Sequence, residues 1–230
     1  SGGSWGKEFT PAMAGLALLA FMGHCETPSS PRYGANVARG MTYMKRLGRR
    51  GKGELVDIQE SIHAVYQQGI AVYALAECYT MTRDASIAPV LRESATRIVE
   101  GLNGEGGWMY KYGGGVDSSV TAWQIQALKA THLTGLNIPG VDKALDRGVA
   151  TMKGMSMGNG NWLYRKDGNS ADHAAHLGRA GLGVISLQFW KEGKSAQAKR
   201  GLDGIMGVLN QYDYNGKNGC MYSWYYHTLA

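Results

Sequence analysis

Two kinds of apolar stretch alternate along the chain. The first is apolar on nearly every side and recurs at Ala12–Met22, Ile62–Tyr79, Val120–Thr131 and Ala180–Trp190. Small residues are spaced through these stretches (Ala17 and Ala20, Ala71 and Ala74, Ala122 and Ala127, Gly183 and Ser186), so neighbouring helices can approach closely. The second kind is amphipathic and charged, at Asn36–Leu47, Ala85–Leu102, Val141–Met152 and Ser195–Leu209. From Ile87 onward, Val90, Leu91, Ala95, Ile98 and Leu102 form one stripe, with Arg92, Glu93 and Arg97 opposite. A helix apolar all round is buried, and an amphipathic one lies half in solvent. The alternation predicts an inner layer of helices wrapped by an outer layer, and no strand pattern of useful length interrupts it.

Glycine-rich segments carrying tryptophan mark the joints. They are Gly2-Gly3-Ser4-Trp5-Gly6, Gly104-Glu105-Gly106-Gly107-Trp108 and Gly158-Asn159-Gly160-Asn161-Trp162, with weaker copies at Gly51-Lys52-Gly53 and Asn215–Cys220. Their interval is close to 54 residues. Each mark joins an outer helix to the next inner one, giving four hairpins and the start of a fifth. A hairpin cannot bury its inner face alone, so the repeats must stack or close into a ring. The expected fold is therefore all-α: an (α/α) toroid or partial toroid of about four to five helical hairpins, forming a single domain over residues 1–230. The run Tyr225–Ala230 reads as a helix just beginning, and the chain is expected to be a fragment of a longer protein.

Composition narrows the partners more than the chemistry. With 44% hydrophobic and 18% charged residues, the chain is not disordered throughout. The 34 glycines have no Gly-X-Y period and are accompanied by only five prolines, which excludes collagen. A net charge of +6 favours anionic partners weakly and is too sparse for a nucleic-acid interface. The one dense basic run, Lys45, Arg46, Arg49, Arg50 and Lys52, fits either the last turn of a helix or a patch for anions or a membrane surface. Cys25, Cys78 and Cys220 show no CxxC spacing, so the compartment stays open. The longest apolar run, Ala12–Met22, is about half a membrane span; peripheral membrane contact remains possible.

The arrangement resembles the squalene–hopene cyclase and protein prenyltransferase β-subunit superfamily, terpenoid cyclase-like toroids with QW-type repeats, best at Asn103–Trp108. The resemblance covers essentially the whole chain. It implies a cyclase or transferase acting on an isoprenoid, but two catalytic motifs depart from the pattern. In Val116-Asp117-Ser118-Ser119-Val120-Thr121-Ala122-Trp123-Gln124, alignment on Thr121-Ala122 keeps Asp117 and places Ser119 and Val120 where cyclases carry further aspartates. A serine hydroxyl cannot protonate an alkene. Against the prenyltransferases, Asp117 matches a zinc-binding aspartate and Ser119 replaces the zinc cysteine. Tyr226-His227-Thr228 resembles the histidine motif, two repeats after Asp117 rather than one. Lys111 falls at one diphosphate-binding position and Gly114 at the other.

These comparisons, with the residues themselves, nominate the sites. Asp117 is either an N-cap or a catalytic candidate. Asp117, His176 and His227 are candidate ligands for zinc or another metal, and Asp172 and His173 lie beside His176. Inner-helix N-termini would converge at that mouth and favour anions. Trp108, Tyr110, Tyr112, Trp123, Trp162, Tyr164, Tyr222 and Tyr225 either stack between repeats or line a central cavity for an apolar or cationic ligand. Two classes of function follow. One is a toroid that binds an apolar, isoprenoid-like ligand without the usual acid motif. The other is a non-catalytic domain that binds or scaffolds a protein partner; a divergent metal-dependent transferase is a further alternative.

Overall fold

A computed structural model describes residues 2–56, 63–168, 178–209 and 221–230. Nine helices form among them: α1 (Thr10–Gly23), α2 (Gly34–Arg50), α3 (Ala64–Thr82), α4 (Ala88–Glu100), α5 (Ser118–Leu133), α6 (Val141–Gly154), α7 (Gly178–Phe189), α8 (Ala196–Val208) and α9 (Met221–Leu229). No strand occurs among the described residues, only isolated bridges at Asp117–Arg165 and Ser156–Trp162. The odd-numbered helices pack in chain order, α1 on α3, α3 on α5, α5 on α7 and α7 on α9, while α2, α4 and α6 follow one another outside them. The result is all-α, a row of helical hairpins in two layers. Helix α5 is buried along almost its whole length, whereas α2, α4 and α6 bury one face each.

Inner helices approach closely at several glycines. Gly15 of α1 lies against Ile70, Gly69 of α3 against the Gln124 side chain, and Gly181 of α7 against Tyr226; a Cβ at each would fall within about 3 Å of those atoms. Ala17 and Ala20 instead face outward from the packed side of α1. Helix α9 also begins before Tyr225, at Met221.

One turn position repeats through the fold. Gly3, Gly53, Gly106 and Gly160 all have positive φ, and a Cβ on each would run into the outer helix of its own hairpin, near Arg39, Glu93, Thr151 and Arg200 respectively. Just beyond this glycine sits the tryptophan. Trp108 donates its indole N–H to Ile98 O at 2.9 Å and Trp162 donates to Met152 O at 2.7 Å, each bonding the end of the preceding outer helix. Their rings lie over Gly148 and Gly201 of the following outer helix, and Trp162 also covers Gly183 of α7. In the second repeat Leu55, fully buried, takes the tryptophan's place. There Gln68 accepts from Leu55 N and donates to Gly53 O and Ser94 O, tying the turn to the following outer helix, α4. The Asn215–Cys220 mark, Asp172, His173 and His176 lie outside the described residues.

Candidate functional site

The first turns of the inner helices share one rim, and their side chains meet there. Asp117 is the N-cap of α5 and is fully buried. Its Oδ1 accepts from Ser119 N at 2.9 Å, Val120 N at 3.0 Å and Ser119 Oγ at 2.5 Å. The capping role of Asp117 is thus realised, satisfying amides that the helix leaves open. Its Oδ2 is also buried. Because Ser119 spends its only proton on Asp117, Tyr66 of α3 must donate in the bond that its hydroxyl shares with Ser119 Oγ. One repeat on, the hydroxyls of Tyr110 and Tyr164 bond each other.

Two further groups close the cluster. Tyr222 of α9 lies over Gly178 at the start of α7. Beside that glycine, Arg179 is buried to within 4% of full coverage, and its Nε has no hydrogen-bond partner. Burial holds the Arg179 pKa below the ordinary guanidinium value, against the opposing pull of Tyr222, Tyr164 and Asp117. Burial likewise raises the pKa of Tyr66, Tyr110, Tyr164 and Tyr222, and the Asp117 charge adds to the rise at each. All four phenols are neutral hydrogen-bonding groups at neutral pH.

An aromatic wall runs on from this rim. Phe9 at the start of α1 meets the His63 ring edge-on at 5.3 Å, and His63 meets Tyr110 at 5.6 Å; Tyr66 and Tyr110 are also 5.6 Å apart. On the far side Trp123 of α5 stacks on Tyr225 at 5.8 Å, and Tyr226 packs edge-on against Tyr222 at 4.8 Å. The inner helices carry apolar side chains on the face turned away from the outer layer. Phe9, Met13 and Leu16 on α1 are 41%, 43% and 37% exposed, and Tyr222, Tyr225 and Leu229 on α9 are 36%, 37% and 47% exposed. Tyr73 and Glu77 continue the stripe of Tyr66 on α3, seven and eleven residues later. Burial raises the Glu77 carboxyl pKa.

The structure divides the sequence candidates. Tyr110, Tyr164 and Tyr222 join Asp117 at the rim, and Trp123 and Tyr225 line the wall. Trp108 and Trp162 do not reach it: both are buried between the layers, so their rings serve packing. Tyr112 lies over Gly101 at the end of α4, half exposed. Lys111 is exposed on its loop. His227 packs on Gly181 and lines a separate groove with Leu209, Trp224 and Thr228. Among the described residues no three His, Cys, Asp or Glu side chains come together as a metal site. His176, the third expected ligand beside Asp117 and His227, lies outside them. The basic run closes α2, with Arg49 and Arg50 in its last turn and Lys45 bonded to Ser86 at 2.8 Å.

Phe9, His63, Tyr66, Tyr73, Glu77 and Arg179 were not among the sequence candidates. A usable signal existed: Tyr66 and Ser119 are 53 residues apart, and Tyr110 and Tyr164 are 54 apart. No family model matches the chain, and no curated protein or solved structure matches it. No helix among the described residues is long and apolar enough to cross a membrane.

Proposed function

We propose that this chain is a terpenoid cyclase- or prenyltransferase-like toroid domain that binds an elongated apolar, isoprenoid-like ligand against the inner helices. The observation that carries the reading is the exposed apolar wall. Scattered surface apolar residues are ordinary, but a continuous patch marks a binding surface. Here Phe9, Met13 and Leu16 fall at helical spacing on one inner helix and Tyr222, Tyr225 and Leu229 on another, each set beside its own group of ring contacts. Planar rings provide large contact area with few rotors to freeze, which suits a long flexible hydrocarbon.

The reading assigns no catalytic step. Ser119 stands where an alkene-protonating acid would be needed, and the Asp117 carboxylate is committed to its helix cap through Oδ1. The test is binding of squalene, which has no polar head. Stacking of Trp123 on Tyr225 makes the indole fluorescence a reporter of the wall. Saturable quenching, with a rise in Tm, is expected for the parent chain and is expected to weaken at least tenfold in Leu16→Asp and Tyr225→Asp. Squalene without effect on either signal would refute the reading.

A protein partner is the second reading, favoured by a different surface. Leu209, Trp224, His227 and Thr228 line a groove of about 240 Å³ between α8 and α9, beside Met206, which is 66% exposed. Loss of a co-purifying protein in Met206→Glu, with squalene binding retained, would support it.

A further inference from the structure

We infer that helix α2 docks the chain on an anionic lipid bilayer, through a stripe of arginines on its outer face and an aromatic groove beside it. The inference does not depend on the inner wall and uses a surface on the opposite layer. Arg39, Arg46, Arg49 and Arg50 of α2 are all exposed, as are Arg32 before the helix and Lys52 after it. The four helical arginines fall on one side, opposite the buried Val37, Met41 and Met44. From Arg39 to Arg50 the stripe runs roughly 16 Å along the helix.

Its charge is unbalanced. Helix α2 has no acidic residue, whereas α4 carries Glu93 and Glu100, α6 carries Asp142 and Asp146, and α8 carries Asp203. Among the described residues no carboxylate pairs with Arg32, Arg39, Arg46, Arg49 or Arg50. Arg39 bonds Asn36, while Arg32 and Arg46 lie over the rings of Tyr33 and Tyr43 at 5.0 and 5.9 Å. Arginines on the next outer helices are instead tied to backbone, Arg92 to Leu136 O and Arg147 to Asn103 O and Gly104 O. Helix polarity accounts for Arg49 and Arg50 in the last turn. It does not account for Arg32 and Arg39, which stand toward the N-terminal end, where a cation is disfavoured. Arg46 also repels Arg49 and Arg50 at three- and four-residue spacing. The stripe thus carries a local electrostatic cost that a facing anionic surface removes.

Shape and surroundings favour a bilayer among anionic partners. The arginines are spread along a convex helix face, too far apart to converge on one small anion. Lipid headgroups move laterally and can meet such a row one by one. Beside the N-terminal half of α2 lies a groove of about 520 Å³ lined by Trp5, Phe21, Tyr33 and Arg32, with Ala17 and Ala20 on its α1 side. The Trp5 ring packs on Gly40 of α2, and Phe21 lies 6.3 Å from Trp5 and 5.5 Å from Tyr33. Arg32 belongs to both the stripe and the groove. Half-buried rings next to cations suit the headgroup layer, where the ring meets the acyl boundary and the guanidinium meets phosphate. Glu26, the acid lining the groove, has a side chain only 13% exposed and faces His24 at 3.7 Å, so little of its charge opposes the lipid. An acidic protein or a nucleic acid would match the stripe but leave the groove without a role.

The test is co-sedimentation of the full 230-residue chain with vesicles of phosphatidylcholine alone or of equal parts phosphatidylcholine and phosphatidylserine. At about 0.1 M salt the anionic vesicles should bind at least about tenfold more tightly, and most of that preference should vanish at about 1 M. Arg46→Ala/Arg49→Ala should weaken binding to the anionic vesicles about 25-fold, at about fivefold per arginine. Lys143→Ala/Lys199→Ala removes the same charge from exposed lysines of α6 and α8 and should change binding less than about threefold. Ala20→Asp places an anion at an exposed position of the groove and should weaken binding at least about fivefold. Circular dichroism checks that each variant folds; should one not, the lipid and salt dependence of the parent chain decides. Equal binding to neutral and anionic vesicles, or equal losses in the two double variants, overturns the inference. An unchanged Ala20→Asp removes the groove from it. Tighter binding of heparin or a DNA duplex than of the anionic vesicles assigns the stripe to another polyanion and overturns the lipid assignment. None of these results bears on squalene binding at the wall.

Discussion

The repeated turn glycine provides a sharp test of why the hairpins sit as they do. At Gly160 φ is +82°, and a Cβ would stand 2.4 Å from Arg200 O and 3.2 Å from its carbonyl carbon. Ordinary contact begins near 3.4 Å, so the turn would have to move by about 1 Å relative to α8. The neighbour is backbone in the middle of a helix and cannot rotate aside. Two costs add. An L-residue in the left-handed region loses about 1–2 kcal/mol. Displacing the turn then disturbs Trp162, two residues on and packed against Gly183 and Gly201, for a further ~1–2 kcal/mol as part of that packing opens.

Gly160→Ala should therefore destabilise by about 2–4 kcal/mol in total, which for a chain of this size is roughly 5–15 °C in Tm. Gly158→Ala is the control. Gly158 lies two residues earlier in the same turn, its φ is not positive, and a Cβ there meets nothing within 4 Å. It should melt within a few degrees of the parent, or slightly above it, because alanine restricts the unfolded chain. The assay is thermal unfolding followed by circular dichroism at 222 nm. If both variants melt within 2 °C of each other, the turn does not hold the hairpin in the manner argued, and the recurrence of positive-φ glycine has no structural force.

Three further expectations use single groups. Cys25 is exposed and Cys78 is buried, with burial pushing its thiol up to about 11; iodoacetamide at pH 8 should label Cys25 and leave Cys78 untouched until denaturant is added, as read by peptide mass mapping. Glu77 has a raised pKa in the fold, so folding favours its protonated form. Its contribution is full below the ordinary glutamate value of about 4.3 and is lost as pH rises through the folded value. Glu77→Gln should gain Tm over the parent between about pH 4 and pH 7, and a constant difference across that range would refute the assignment. Trp108→Phe strips the Ile98 carbonyl of its indole donor, at about 1–3 kcal/mol, and should lower Tm at least twice as far as Trp5→Phe, whose ring is only half-buried.

The two layers were legible because periodicity reports burial directly. An all-round apolar stretch such as Val120–Thr131 has no choice but to lie inside, and α5 does. The turns were legible from glycine and tryptophan, although the residue nearest each neighbour was not. The tight contacts at Gly15 and Gly69 were not foreseen, because contact depends on the rotation of each helix about its axis, which composition leaves unspecified. The aromatic candidates were sorted only by the structure. Trp108 and Tyr110 lie two residues apart, yet one is buried between the layers and the other meets Tyr164 at the rim. In an extended segment residues two apart would share a side, so it is the bend beginning at Tyr110 that parts them.

The rim was missed for a related reason. Its members are unremarkable in their own segments: a histidine before a helix, a tyrosine in its first turn, an arginine at the start of α7. What joins them is the repeat. Each period returns the chain to the same end of an inner helix, so residues about 54 apart become neighbours, as Tyr66 with Ser119 and Tyr110 with Tyr164. Reading the sequence one hairpin at a time conceals that contact. Such an architecture also separates two kinds of constraint. The turn glycine and the buried tryptophan of each hairpin hold the layers together, whereas the first-turn residue is free to differ from repeat to repeat. Phe9, His63 and Asp117 precede α1, α3 and α5 and Tyr222 lies in the first turn of α9, four different chemistries at one end of the inner helices. Substitutions at the rim should therefore alter ligand preference more than stability, and substitutions at the turns the reverse. Asp117 is the exception, since one of its oxygens caps α5.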